Sequence, residues 1–154
     1  MTASAYRSVK ERLNQGQGKG NLYRIIDANY NRAKEGLRVC EDIFRFLHDK
    51  AEIAGEYKRI RHRVSEAASL LPIDEVIKAR DAASDVGRGP CRLESCRESV
   101  NDIFFANSQR VKESIRVLEE FSKLFDKSAA EEFKRLRYDI YELEQRGGLL
   151  LLSR

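Results

Sequence analysis

Apolar residues recur along this chain in steps of three and four. Ile26, Tyr30, Ala33, Leu37, Cys40, Phe44 and Leu47 form one unbroken heptad seam, and Phe104, Ser108, Val111, Ile115, Leu118, Ser122 and Phe125 occupy the matching positions of a second. A flanking row of Ile25, Ala28, Arg32, Val39, Ile43 and Phe46 lies beside the first seam by the 3.6-residue period, so this helix is covered on two flanks, as in a bundle. The pattern predicts long helices over 23–48, 51–71, 95–125 and 128–146, a shorter one over 73–79, and an amphipathic turn or two over 4–14 through Ala5, Val9 and Leu13. The second long helix stops at Leu71-Pro72, because the residue before proline disfavours the helical region. Ser128 followed by Glu131 reads as a capping box for the last. The glycines of 15–20 are expected to break any helix, at about 1 kcal/mol each. No segment alternates with period two between turns, so no sheet is expected. The reading is an all-α bundle of two helical hairpins with a pseudo-twofold relation.

The polar positions repeat as well. Residues 28–46 and 106–124, offset by 78, share Ala28/Ala106, Asn29/Asn107, Arg32/Arg110, Lys34/Lys112, Glu35/Glu113, Arg38/Arg116, Val39/Val117 and Glu41/Glu119. Residues 56–62 return as 132–138 at an offset of 76, carrying Arg61 onto Arg137. Packing preserves apolar periodicity but has no need to repeat Asn, Arg and Glu, so these residues are the first functional candidates. The chain is read as one domain over 1–154: an extension and glycine-rich linker (1–22), a first hairpin (23–71), a central loop (72–94), a second hairpin (95–146) and a tail (147–154).

Composition narrows the classes. Charged residues make up 35% and the net charge is +4, but the basic residues are interleaved with acids rather than gathered in the stripe that a nucleic-acid footprint would show. No apolar run approaches the ~20 residues of a membrane span. Three cysteines with no signal-peptide pattern before them suit a reduced, cytoplasmic setting, and neither their spacing nor His48 and His62 completes a zinc site. Gly16, Gly18 and Gly20 resemble a phosphate loop only superficially, because Gly20 stands where such a loop needs a hydroxyl.

Three groups carry candidate chemistry. Asp27, Asn29, Arg32 and Glu35, with Asn107, Arg110 and Glu113, lie at spacings that share one helix strip. Arginine offers a fork for phosphate and asparagine an amide edge, while Arg32–Glu35 and Arg110–Glu113 read equally as structural ion pairs. Arg80, Asp81 and Asp85 in the central loop suit Mg²⁺ and a polyphosphate, although turn chemistry accounts for the spacing on its own. His62, beside Arg61, is a possible titrating group, and more often such a histidine simply packs. Arg38, Glu41, Arg116 and Glu119 point away from the seam and read as salt-bridge partners within their helices.

At these motifs the chain resembles a known family, the monofunctional hydroxymethylpyrimidine phosphate kinases. Their helical domain is also found fused to the N-terminus of bacterial thiamin-phosphate synthases. The resemblance runs through R-I-x-D-A-N-x-x-R-x-x-E-G-L-R-V-x-E-D at 24–42, Ile60-Arg61-His62, A-R-D-x-x-x-D-V-G at 79–87, A-N-x-x-R-x-x-E-x-x-R-V-L-E-E at 106–120 and F-x-x-L-R-Y-x-x-Y at 133–141. It departs at Ile60, where the family has leucine, and at Arg88 after the D-V-G. It implies transfer of a phosphoryl group from ATP to 4-amino-5-hydroxymethyl-2-methylpyrimidine phosphate, with Mg²⁺ as cofactor. Matching the motif residues to that chemistry assigns Asp81 and Asp85 to the metal. Arg80, Asp81, Asp85, Arg110 and Glu113 become catalytic candidates, with Arg32, Arg80 and Arg110 on phosphates. Asp27, Asn29, Arg32, Glu35, His62, Asn107 and Arg137 become substrate-binding candidates. With no synthase sequence following, a stand-alone member is expected. A thiamin-phosphate synthase is the expected functional partner, and the leucines of 149–152 leave room for a homodimer. The alternative is a non-catalytic module that binds or channels a pyrimidine phosphate.

Overall fold

The computed structural model describes residues 16–87 and 96–153. Every regular element among them is helical: α1 (Gly16–Asp42) running into a π-helical turn (Ile43–Leu47), α2 (Ala51–Ala68), the short α3 (Ile73–Lys78), α4 (Val100–Ser122) and α5 (Lys127–Leu152). The all-α expectation therefore stands. The helix expected over 4–14, and the part of the central loop that holds Arg88, Pro90 and Cys91, lie outside the described residues.

The seams explain the packing. Ile26, Ala33, Leu37, Cys40 and Phe44 of α1 are buried against Phe104, Val111, Ile115 and Leu118 of α4 in one core, which α2 and α5 close with Tyr57, Val64, Phe133, Leu136 and Leu143. The helices α1 and α4 run antiparallel. Tyr23 near the start of α1 stacks on Phe125 just past the end of α4, with ring centroids 5.2 Å apart, while Cys40 near the end of α1 meets Ser108 near the start of α4. Burial pushes the Cys40 thiol up to about 12, so it remains a protonated core residue at neutral pH.

Close approach is possible because Gly36 has no side chain. A Cβ there would lie 2.6 Å from Cγ2 of Val111 and 3.1 Å from the backbone oxygen of Asn107. The same device recurs at Gly147, where a Cβ would lie 2.8 Å from Cζ of Phe44.

Several sequence expectations need correction. The glycines at 16–20 do not break a helix, because α1 begins at Gly16. Extending a helix already anchored by Tyr23 adds a hydrogen bond per residue without a new nucleation cost. The tail is also helical: α5 continues through Gly147 and Gly148 to Leu152, and Leu151 is buried. Those glycines serve aromatic packing rather than termination. Asp126, not Ser128, caps α5 by accepting from the Ala129 amide, and the capping box belongs to Ser99 and Asp102 at the start of α4. The first seam ends early. The π-helical turn rotates Phe46 and Leu47 outward, leaving both about 60% exposed, and Asp49 closes the turn in the left-handed region at φ 51°.

Glu41 and Glu119 make the expected pairs within their helices, with Arg38 at 3.7 Å and Arg116 at 3.1 Å. Both are buried, and each receives an arginine from the next helix in addition to its own neighbour. Arg61 reaches Glu41 at 3.0 Å and Arg137 reaches Glu119 at 2.8 Å, so aligned residues of the two sequence repeats make the same buried pair. No helix among the described residues is long and apolar enough to cross a membrane.

Candidate functional site

Between residues 21 and 35, α1 carries Asn21, Arg24, Asp27, Asn29, Asn31, Arg32 and Glu35 toward one cavity, and the segment after α3 folds against it. Buried Val76 packs α3 onto the core, which delivers Arg80 to α1. There Arg80 forms a two-pronged bond with the buried Asp27, its Nε donating to Oδ2 at 2.8 Å and its Nη2 to Oδ1 at 2.7 Å. Arg24 adds a donor to the Asp81 carbonyl at 3.2 Å. The loop is thereby fixed over a cavity of about 690 Å³ that Asn29, Arg32, Glu35, Asp81 and Asp85 all line.

The side chains within this cavity differ in how far they are already satisfied. Asn29 donates its amide to the Ile25 carbonyl at 2.9 Å, which keeps Oδ1 as its open acceptor. Asp81 accepts from both the hydroxyl and the backbone N–H of Ser84, and these bonds hold its carboxyl below the ordinary value. Asp85 accepts from the Gly87 amide at 2.8 Å. Both acids thus make the turn bonds that spacing alone suggested, and among the described residues no group of three or more His, Cys, Asp and Glu is arranged around a metal position.

Arg32 and Glu35 are exposed and form no ion pair, with each other or with any other described residue. The structural-pair reading of these two residues therefore fails. An arginine held at a cavity without a carboxylate partner keeps its full charge for an anion.

The other sequence candidates are distributed differently. Arg80 and Asp27, both candidates from sequence, bind each other and so anchor the loop to α1. Asn107 repeats the Asn29 arrangement, donating to the Ile103 carbonyl at 2.8 Å, and Gly36 places its backbone against α1. Arg110 is exposed without an ion pair, while Glu113 accepts from Gln109 at 2.8 Å. These three do not line the cavity of the first set. His62 is exposed on α2 and does not line it either. Arg137 is engaged with Glu119 and lies over the rings of Tyr138 and Tyr141 in the second hairpin. Asn21, Arg24 and Asn31 line the cavity without having been singled out from sequence. The i−3 and i+4 spacings of Arg24 and Asn31 from Asp27 were the signal that could have found them.

Comparison with known proteins gives a consistent picture. Residues 24–146 match the model of the family described as the ThiD2 family. A thiamine-phosphate synthase from Nostoc sp. is 39% identical over 140 residues, covering 86% of this chain and 39% of that protein. Thiamine-phosphate synthases from Synechocystis sp. and Gloeobacter violaceus are 42% and 37% identical, over 84% and 80% of this chain and 36% and 35% of theirs. The chain thus spans a little over a third of the length of these curated relatives. No solved structure matches it.

Proposed function

The chain belongs to the ThiD2 family, and we propose that it transfers the γ-phosphoryl group of ATP to 4-amino-5-hydroxymethyl-2-methylpyrimidine phosphate, giving the diphosphate from which thiamin phosphate is made. The observation that carries this reading is Arg32, an arginine without an ion-pair partner among the described residues, in a cavity shared with Asn29, Glu35 and the two loop acids. The cavity falls within the ~300–1,000 Å³ of small-molecule sites. Relatives named thiamine-phosphate synthase support a substrate from thiamin synthesis.

This reaction demands little acid–base chemistry. The acceptor is a phosphate monoester that is already anionic at neutral pH. One of its oxygens attacks the γ-phosphorus, the new P–O bond forms, the bond to the β–γ bridging oxygen breaks, and ADP leaves. What remains for the protein is positioning and charge compensation. Arg32 binds a phosphate group, with Arg24 nearby on the same helix side. The Asn29 Oδ1 accepts from an exocyclic ring amine. Asp27 and Arg80 hold the loop in place. Mg²⁺ supplies compensation of polyphosphate charge, and Asp81 and Asp85, with Glu35 on the same cavity, are the carboxylates suited to hold it. That set fits an ion that keeps several waters and uses one or two carboxylates plus substrate phosphates.

The turn bonds made by Asp81 and Asp85 favour a second reading, a non-catalytic module that binds a pyrimidine phosphate for a thiamin-phosphate synthase. A coupled ADP-release assay with Mg-ATP separates the two. Turnover with the monophosphate, and none with hydroxymethylpyrimidine or without acceptor, supports the kinase. Saturable monophosphate binding without ADP release overturns it in favour of the module.

A further inference from the structure

We propose that Asn107, Arg110 and Glu113 form a second subsite that takes the pyrimidine monophosphate, while the first set and the loop take the adenine nucleotide; this rests on the kinase reading above. The two substrates of that reaction share their recognition chemistry. Adenine and a 4-aminopyrimidine each present an exocyclic amine beside a ring nitrogen, and each is attached to phosphate. One asparagine carbonyl and one arginine, held in fixed relation on a helix, answer both requirements.

The two sets are prepared alike. Asn29 and Asn107 donate to the carbonyl four residues back at 2.9 and 2.8 Å, and each keeps Oδ1 for an amine. Three residues further on, Arg32 and Arg110 are both exposed without an ion-pair partner among the described residues. Buried pairs behind them, Glu41–Arg61 and Glu119–Arg137, tie each helix to its hairpin partner in the same way.

Their surroundings differ in charge, and this difference assigns the ligands. Among the described residues, the cavity of the first set holds Arg24, Arg32 and Arg80 against four carboxylates, Asp27, Glu35, Asp81 and Asp85. A lining this rich in carboxylates beside Arg32 suits a polyphosphate that arrives with a divalent cation. Among the described residues no loop acid is held beside the second set as Asp81 and Asp85 are beside the first. On its helix Asp102 is taken up in the Ser99 capping box, Glu119 and Glu120 pair with Arg116, and Glu113 accepts from the Gln109 amide. Arg110, with no ion-pair partner among the described residues, can meet a monoester directly. The Gly36 contact brings the Asn107 backbone onto α1 at the residue after Glu35, so both sets are carried by the packed α1–α4 helix pair.

The test is isothermal titration of the full chain with two probes, the pyrimidine monophosphate alone and a non-hydrolysable ATP analogue with Mg²⁺. Arg110→Gln and, independently, Asn107→Leu should weaken the monophosphate roughly tenfold or more while leaving the nucleotide analogue within about twofold. Arg32→Gln should do the converse. Both arginines are exposed and unpaired, so helical circular dichroism should be unchanged. Loss of monophosphate binding in Arg32→Gln but not in Arg110→Gln would overturn the assignment and leave the kinase reading standing. The same holds if neither second-set variant alters either titration. Wild-type protein that binds neither probe would overturn the kinase reading itself.

Discussion

Replacing Gly36 with alanine tests whether the contact between α1 and α4 positions the site. The added Cβ would sit 2.6 Å from Cγ2 of Val111 and 3.1 Å from the Asn107 oxygen. Carbon atoms pack best at about 3.5–4.0 Å, so the shortfall against Val111 is about 1 Å. Neither neighbour can step aside: a helical valine is held near one χ1 rotamer, and the Asn107 atom is backbone. The helices must separate instead. Overpacking of this kind costs about 1–3 kcal/mol, and the better helix propensity of alanine returns up to ~1 kcal/mol, for a net loss of roughly 0–2 kcal/mol. Gly55 in α2 is the internal control, because a Cβ there meets nothing within 4 Å. Gly55→Ala should stabilise by about 0.4–1 kcal/mol. Urea unfolding followed by helical circular dichroism should therefore place the two variants about 1–3 kcal/mol apart, in opposite directions from wild type. A displacement of 1 Å between reacting groups can cost roughly 100-fold, so Gly36→Ala should also lose turnover while Gly55→Ala keeps it. If Gly36→Ala gains stability like Gly55→Ala and keeps full turnover, the contact does not position the site.

Three further outcomes follow from the ion pairs. Arg61→Met leaves the buried Glu41 with only Arg38, at 3.7 Å, and should cost about 3 kcal/mol or more in chemical denaturation, most of it regained when Glu41→Gln is added; a loss too small to measure would show the pair to be dispensable. Asp27→Asn removes the carboxylate that holds Arg80, so hydrogen exchange should rise over 79–87 and turnover should fall while the helical signal is kept; unchanged protection there would contradict the anchoring role. Burial raises the Glu132 carboxyl, but hydrogen bonds from Arg63 and Arg135 more than reverse this and hold it below its ordinary 4.5. Its stabilising contribution is complete above that value and is lost as pH falls through the lower folded one, so Glu132→Gln should flatten the acid limb of the stability profile, and an unaltered limb would refute the linkage.

Much of the bundle was readable because its code is periodic. Leu37, Cys40, Ile115 and Leu118 fall at the seam positions that the three-four spacing marks, and all are fully buried. What escaped were features decided by contacts distant in sequence. Gly147 and Gly148 look like a helix stop until Phe44, Phe104 and Phe105 occupy the space beside them. The pairs of Glu41 and Glu119 within their helices were legible, but their burial was not, because the second arginine on each comes from twenty and eighteen positions away. At the site, the first polar set and the loop acids were legible as motifs, and the structure gathers them around one cavity. That Arg80 would face Asp27 rather than open solvent was not, because nothing local fixes how the loop folds back onto α1. His62 shows the converse: a titratable residue beside Arg61 in a motif triplet, it ends on the exposed face of α2.

The most direct test follows the transferred phosphorus. Wild-type protein, Mg-ATP and the pyrimidine monophosphate are incubated and the mixture is read by phosphorus NMR. The account predicts a new diphosphate coupled pair from the pyrimidine product, rising in step with ADP and absent when the monophosphate is replaced by hydroxymethylpyrimidine. Release of ADP with inorganic phosphate alone, or an unchanged monophosphate resonance in the presence of folded protein, would contradict it.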